Sequence, residues 1–480
     1  MLQLQTLPPS LAGLVWAFRS CFTAASFRTF AALVAGMIAQ PGRRTVCGML
    51  VAAGLSQVWH HSRAHWFFGR ARWQPIQLSA VLTRLVVDRC VPAGAAVLVA
   101  VDDTLFHRSG RRVADAAWFY DGAADVPKGA RRAVGFGHNW VIAGIVVHLP
   151  MLSRPICLPV AMALVTQPGR RGKPARTGAG RVRDTNVHDS RQLLACQLVT
   201  AIHTALAEHH PDRTIHLVAD CWYAGADGAQ GAAAGAARSR GLPTGVSLTS
   251  RLRANAALWA IAEPEPGRRG PRKIRGERIG TPDDLARHTT ATNAWQKATA
   301  TRYGRTEHID ITDLRCLWYG VYRSRAVRVI LVREPGHTTK TGYHLALITT
   351  DLTSTAEQIV ERYAARWSVE VAIEDAKQNT GAGHARNRTP TAVARTVPFA
   401  LTTQTIIITW YTRHGHSPDI AAQRRAAAPW YRTKTHPSYH DMITRLRRLL
   451  IAAKFRGPTP RNPTPQETHA VHLAWAEAAA

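Results

Sequence analysis

Two apolar segments of the sequence are each followed directly by aspartate. Val97–Val101 precedes Asp102 and Asp103, and Ile215–Ala219 precedes Asp220. Short apolar runs of this kind indicate buried strands that end before the aspartates. Ligands of open α/β sheets gather beyond the carboxyl ends of the strands, so these side chains could share one divalent cation. Aspartate is also common in the turns that end strands, and the pattern alone leaves both interpretations open.

A third polar group lies on a helix predicted over Thr355–Asn379. Seven residues carry a helix through about two full turns. Tyr363, Glu370 and Lys377 therefore share one stripe, and Arg366 lies beside it. This stripe combines an aromatic hydroxyl, a carboxylate and two cations. The alternative is a solvated helix face with ion pairs between neighbouring turns.

The same helix carries an apolar stripe that would pack on a sheet. Its members recur at helical spacing, about 90° around the helix from the polar stripe. They are Val360, Ala364, Trp367 and Val371. With the apolar stripe buried, the polar stripe would face a site at the edge of the sheet.

The charge of the chain indicates a polyanionic partner. Its 480 residues include 61 Lys and Arg but only 31 Asp and Glu, which gives a formal net charge of +30. Such a charge repels itself unless it is neutralised, and nucleic acid is the simplest partner. A genome that favours arginine codons is the alternative, although it would not explain the shortage of acidic residues.

Cysteine usage and hydropathy indicate a cytoplasmic protein. The seven cysteines are odd in number and form no CxxC pair, which argues against a disulfide framework and against a zinc ribbon. No apolar run is long enough to span a bilayer, and Met1–Ser10 lacks the basic start of a signal peptide. We therefore expect no association with a membrane.

The polar stripe resembles a family signature. The order and spacing Tyr363-x2-Arg366-x3-Glu370-x6-Lys377 are similar to the Y-R-E-K signature of bacterial insertion-sequence transposases. These belong to the DDE superfamily, whose catalytic core is RNase H-like. The resemblance implies that Tyr363, Arg366 and Lys377 contact DNA phosphates.

The two aspartate segments resemble the other acidic segments of that family. The resemblance implies that Asp103, Asp220 and Glu370 are the catalytic and metal-binding residues. Asp103 is chosen because an aspartate directly before threonine matches the family pattern. Asp102 stays open as the alternative, since a buried central strand has no in/out alternation that would decide between the two.

The resemblance also implies a reaction and its partners. Two Mg²⁺ ions, with Mn²⁺ as a substitute, would support cleavage of double-stranded DNA at transposon ends and strand transfer into target DNA. The protein would act as a homodimer at the bacterial nucleoid. The alternatives are a catalytically inactive or domesticated DNA-binding protein and another RNase H-like nuclease.

We expect an α/β fold in which an RNase H-like mixed sheet is flanked by helices. Asp220 and Glu370 are 150 positions apart, which leaves room for a β-rich insertion. The helices and basic aromatic residues of Arg43–Trp73 suit DNA binding, although an ordinary helical bundle is equally consistent with them. The expected parts are a helical DNA-binding region (1–95), the first part of the core (96–251), the insertion (252–354), the second part of the core with the catalytic helix (355–412) and a C-terminal helical region with a tail (413–480).

Overall fold

The computed structural model describes most of the chain. The described residues are 7–110, 112–122, 124–125, 133–166, 191–224, 242–263, 273–336 and 339–455, together with Gln466 and His469. Most of the expected C-terminal tail lies outside them.

Five helices form the N-terminal region. Thr23 and Thr45 begin two of them, because each side chain accepts a hydrogen bond from a backbone N–H of the first turn. Phe30, Phe67 and Trp73 pack together between the helices. The helices are α1 (Pro9–Trp16), α2 (Ala24–Ala39), α3 (Val46–Ala52), α4 (Ser62–Gly69) and α5 (Pro75–Cys90).

The strands form two sheets within the described part of the chain. Ten strands pair in one mixed sheet, and β7 and β8 form a separate pair. The strands are β1 (Val97–His107), β2 (Ala117–Tyr120), β3 (Val134–Val147), β4 (Ile156–Leu164), β5 (Ile215–Ala219), β6 (Val246–Arg251), β7 (Leu258–Ile261), β8 (Arg275–Gly280), β9 (Gln296–Arg302), β10 (Arg305–Cys316), β11 (Val327–Arg333) and β12 (Leu345–Thr349).

The large sheet has the order β2-β3-β1-β5-β6-β12-β11-β10-β9, and β4 also pairs with β3. β1 is parallel to β5, and β5 is parallel to β6. β3 pairs antiparallel with β1, and β12 pairs antiparallel with β6. β1 is therefore a central strand, and its neighbour β5 ends directly before Asp220. Four strands from the expected insertion, β9 to β12, extend this same sheet beyond β6.

The expectation that β1 ends at Val101 is wrong. β3 pairs with β1 from Leu98 to His107, so both aspartates lie inside the strand. The sequence reveals the apolar half of this strand, but the polar half is stabilised by hydrogen bonds to a partner from a distant part of the chain.

The remaining helices cover the sheet and complete the C-terminal region. A π-helical turn, Ala376–Thr380, directly follows the helix that ends at Asp375. These helices are α6 (Arg191–Ala207), α7 (Pro282–Ala291), α8 (Tyr319–Tyr322), α9 (Ala356–Ala365), α10 (Trp367–Asp375), α11 (Pro390–Trp410), α12 (Ile420–Ala427) and α13 (Tyr439–Phe455).

The helix predicted over Thr355–Asn379 changes its buried side at Arg366. Before Arg366, Ile359 and Val360 of α9 pack with strands β9 to β12. After it, Val369 and Ala372 of α10 belong to the main core around β1, β3 and β4. The two segments thus bury different sides of the helix.

This change overturns the predicted apolar stripe. Trp367 is 50% exposed and Val371 is 45% exposed, although both fall on the expected buried side. A single helical period cannot describe a helix that packs against two different parts of a sheet.

The expected α/β fold, with a mixed sheet, flanking helices and helical terminal regions, is confirmed. Within the described residues, no helix combines the length and the apolar character needed to cross a bilayer.

Candidate active site

Asp102 lies within β1, and Asp220 directly follows the end of the neighbouring strand β5. The parallel register ends with Val101 of β1 beside Ala219 of β5, so Asp220 leaves β5 at the level of Asp102. The Ser250 hydroxyl donates to the backbone carbonyl of Asp220 (2.8 Å) and holds the chain just after β5.

Arg366 connects the sheet to the helix. Its guanidinium donates to Glu370 Oε1 at 2.8 Å, one turn further along, and lies 3.5 Å from Asp102 Oδ2. Burial alone would lower the pKa of this guanidinium, but the Tyr363 hydroxyl and the two carboxylates raise it. Asp102 and Glu370 are therefore brought to the two sides of one cation.

Burial has the largest effect on the pKa of Asp102. It raises the pKa of this carboxyl to about 7, although the backbone N–H of Asp103 and the charge of Arg366 oppose the rise. The charge of Glu370 adds to the rise. A carboxylate in this environment is stabilised by nearby positive charge.

Tyr363 and Lys377 extend the polar face along the helix. Tyr363 is half-buried, with Arg366 5.7 Å from the centre of its ring. Burial raises the pKa of its hydroxyl, Arg366 opposes this rise, and the charge of Asp220 adds to it. Lys377 Nζ lies 5.6 Å from the ring centre of Phe106, and burial lowers its pKa.

Asp103, the expected first ligand, points to the other face of the sheet. Its carboxylate is 3.1 Å from the Arg191 guanidinium and accepts hydrogen bonds from the Tyr223 hydroxyl (3.0 Å) and the Asn139 amide (3.1 Å). Successive residues of a strand alternate between faces. The structure therefore brings Asp102 and Glu370 to Arg366, places Asp220 near Tyr363 of the same helical segment, and directs Asp103 to the side of α6.

Sequence reasoning did not identify the partners of Asp103. Arg191 begins α6 and Tyr223 lies in the short turn after Asp220, each far from Asp103 along the chain. No spacing pattern connects them, because the contact depends on how α6 packs on the sheet. Arg191 and Tyr223 both contact the Asp103 carboxylate and hold it in place.

The carboxylates on the helix-facing side suit a hard divalent cation. Mg²⁺ prefers oxygen ligands and uses few carboxylates. Asp102, Asp220 and Glu370 offer such oxygens, and Arg366 already supplies positive charge between two of them. Within the described residues, however, no three His, Cys, Asp or Glu side chains form a compact group able to hold a metal ion.

The site thus combines a central mixed sheet, half-buried carboxylates and a helix that carries an arginine and a glutamate. The sequence model of the family described as DDE superfamily endonuclease matches residues 17–307, more than half of the chain. The chain belongs to this family. A comparison with curated proteins gives no match.

Membership supports a nuclease that acts on DNA, and enzymes of this superfamily generally use divalent metal ions. The matched range includes Asp102, Asp103 and Asp220 but ends before α9 and α10. The Y-R-E-K assignment on those helices thus stays a prediction.

Proposed function

We propose that the protein is a DNA transposase that cleaves transposon ends and joins them to target DNA. The observation that carries this proposal is the contact of Arg366 with both Asp102 and Glu370, beside Tyr363, on which the charge of Asp220 acts. We propose Asp102, Asp220 and Glu370 as the catalytic carboxylates, with Asp102 in place of Asp103.

Each polar side chain of the helix has a role in this proposal. Arg366 and Lys377 would bind phosphate oxygens of the DNA backbone, and the Tyr363 hydroxyl would donate a hydrogen bond to a third oxygen. The carboxylates would hold divalent ions, which when bound activate the attacking hydroxyl and stabilise the leaving oxygen. Arg366 would then exchange its carboxylate partners for a phosphate.

The charge of the chain supports DNA as its partner. A net charge of +30 suits a protein that holds transposon ends and target DNA together. We propose that two copies pair the two ends, and that the protein acts at the bacterial nucleoid.

The test is cleavage of a supercoiled plasmid that carries this gene with its native flanking DNA. Wild-type protein with Mg²⁺ should excise the segment and produce joined products. Glu370→Gln should lower the cleavage rate by about a hundredfold or more. Glu374→Gln is the matched control, because Glu374 lies on the same helix with an exposed side chain bonded to Gln378.

The products separate the proposal from its alternatives. Cleavage without any joined product would indicate another RNase H-like nuclease. Binding of the plasmid without nicking under Mg²⁺ or Mn²⁺ would indicate a DNA-binding protein without catalysis. Equal cleavage by Glu370→Gln and wild type would remove Glu370 from the active site.

A further inference from the structure

A second group of cations lies where the catalytic helix ends. After the π-helical turn, residues 381–389 form a loop that leads to α11. Arg43 and Arg44, from the link between α2 and α3, and Arg108, just after β1, lie close to His384 of this loop. Arg386 of the loop lies close to Arg108, and Arg388 follows two residues further along. We call them the arginine cluster, which comprises Arg43, Arg44, Arg108, Arg386 and Arg388.

The contacts show that the cluster is a packed structure. Arg108 donates to the backbone carbonyls of Gly383 (2.8 Å) and Ala385 (2.7 Å). The backbone N–H of Arg44 donates to His384 Nδ1 (3.3 Å). Gly381 has a positive φ of 69°, and a side chain there would collide with Arg44. A glycine at this position thus allows the loop to lie against the N-terminal helices.

The positive charges of the cluster are close enough to act on each other. Burial lowers the pKa of His384, and the charges of Arg44, Arg43 and Arg108 lower it further. Burial and the charge of Arg386 lower the pKa of Arg108.

No described carboxylate neutralises this group. None of the ion pairs formed among the described residues includes a member of the cluster. Arg366, by contrast, has two carboxylate partners. Arg43, Arg386 and Arg388 are also exposed, whereas Arg44 is buried. Concentrated cations of this kind attract a polyanion.

The cluster lies in line with the candidate active site. Arg108 follows Asp102 by six residues along β1 and its continuation, a distance of about 20 Å at about 3.3 Å per residue. Lys377 lies between the two, beside Phe106. On a duplex that runs along β1, this interval would correspond to about six base pairs, because duplex DNA rises by about 3.4 Å per base pair.

We infer that the arginine cluster binds the backbone phosphates of duplex DNA about six base pairs from the reacting phosphate, with Arg43, Arg386 and Arg388 as the contacting residues. The position along the DNA rests on the proposed active site, whereas the binding itself does not. A residue of the N-terminal region and residues of the loop after the catalytic helix then contact the same stretch of duplex.

The test is the salt dependence of DNA binding in EDTA, where cleavage does not contribute. Binding of a fluorescent 40-base-pair duplex from the native flanking DNA is measured by anisotropy over a range of KCl concentrations. The slope of log K against log salt is negative, and each lost phosphate contact should reduce its magnitude by about 0.9. The triple variant Arg43→Gln, Arg386→Gln, Arg388→Gln should therefore lower it by about 2 to 3 units.

A control variant removes the same charge elsewhere. Arg305, Arg315 and Arg325 are exposed. Arg305 and Arg315 lie on β10, five strand spacings or about 24 Å from β1, and Arg325 lies two residues before β11, the strand next to β10. Replacing these three with glutamine should leave the slope within about one unit of wild type. The triple variant Arg43→Lys, Arg386→Lys, Arg388→Lys should keep most of the wild-type slope. This result would show that the smaller slope of the glutamine variant comes from lost charge and not from misfolding.

Two results would overturn the inference: an unchanged slope in the cluster variant, or an equal fall in both variants. The plasmid assay with Glu370→Gln is independent of this measurement, so failure of the cluster and failure of the proposed function are distinguishable.

Discussion

Asp102 and Asp103 are neighbours in sequence, but their carboxylates lie on opposite faces of the central sheet. Asp102 faces Arg366, and Asp103 faces Arg191. The backbone N–H of Asp103 also donates to Asp102 Oδ1 (2.8 Å), so the second aspartate helps to orient the first. The contact with the helix that carries Glu370 supports the proposal of Asp102 as a catalytic carboxylate.

Replacement of each aspartate should separate the two roles. Asp102→Asn should lower plasmid cleavage by about a hundredfold or more, because it removes a carboxylate that faces Glu370. Asp103→Asn should keep a much larger share of the activity, because its side chain faces away. Initial rates of nicking with Mg²⁺ give the comparison, and thermal unfolding shows that both variants are folded. A larger loss for Asp103→Asn would reverse the assignment.

Arg366 is expected to compete with divalent ions when DNA is absent. Arg366→Gln removes the cation between Asp102 and Glu370, so the affinity of the DNA-free protein for Mn²⁺ should rise severalfold. Its affinity for DNA should fall, because a phosphate contact is lost. Calorimetric titration with Mn²⁺ and anisotropy in EDTA measure the two effects. A fall in both affinities would contradict the expected competition.

Asp351 makes the stability of the fold sensitive to acid. Burial alone would raise the pKa of this carboxyl, but hydrogen bonds from Ser354, Arg362 and Thr353 hold it well below its usual range. A depressed folded-state pKa adds stability above the unfolded value of about 3.9, and this stability is lost as pH falls below it.

Asp351→Asn should therefore lower the free energy of unfolding at pH 7 by about 1–3 kcal/mol. The difference from wild type should shrink as the pH falls from about 5 towards 3. Urea unfolding over this range measures it. A difference that stays constant with pH would show that Asp351 does not contribute through its charge.

Tyr223 should affect stability more than cleavage. Its buried hydroxyl donates to Asp103 at 3.0 Å, and hydrogen bonds to charged groups contribute about 1.5–3 kcal/mol. Tyr223→Phe should lower the free energy of unfolding by that order and leave the nicking rate within about threefold of wild type. A loss of cleavage as large as that of Asp102→Asn would place Tyr223 in the catalytic machinery instead.

The elements of the core could be predicted from the sequence, because its strands and helices carry strong apolar patterns. The apolar run before Asp220 gave the strand β5, and the helical spacing from Tyr363 to Lys377 gave the helix. The choice of Asp103 over Asp102 rested on the family pattern alone. The strand pattern could not test it, because β1 is buried on both faces and its pairing with β5 and β3 depends on residues far away in the chain.

The buried side of the helix could not be predicted from the sequence either. Trp367 and Val371 fit an apolar stripe with Ala364, yet they are exposed because the helix contacts a different part of the sheet after Arg366. The pairing of β12 with β6, which joins strands of the expected insertion to the main sheet, is a similar long-range effect.

Iron-mediated cleavage of the protein backbone tests the central claim most directly. Fe²⁺ replaces Mg²⁺, and ascorbate with peroxide then generates radicals that cut the chain next to the bound metal. We predict cuts close to residues 102, 220 and 370, all suppressed by excess Mg²⁺ and all lost in Glu370→Gln. Cuts that cluster elsewhere, or cuts at these positions that Mg²⁺ does not suppress, would contradict a shared metal site of Asp102, Asp220 and Glu370.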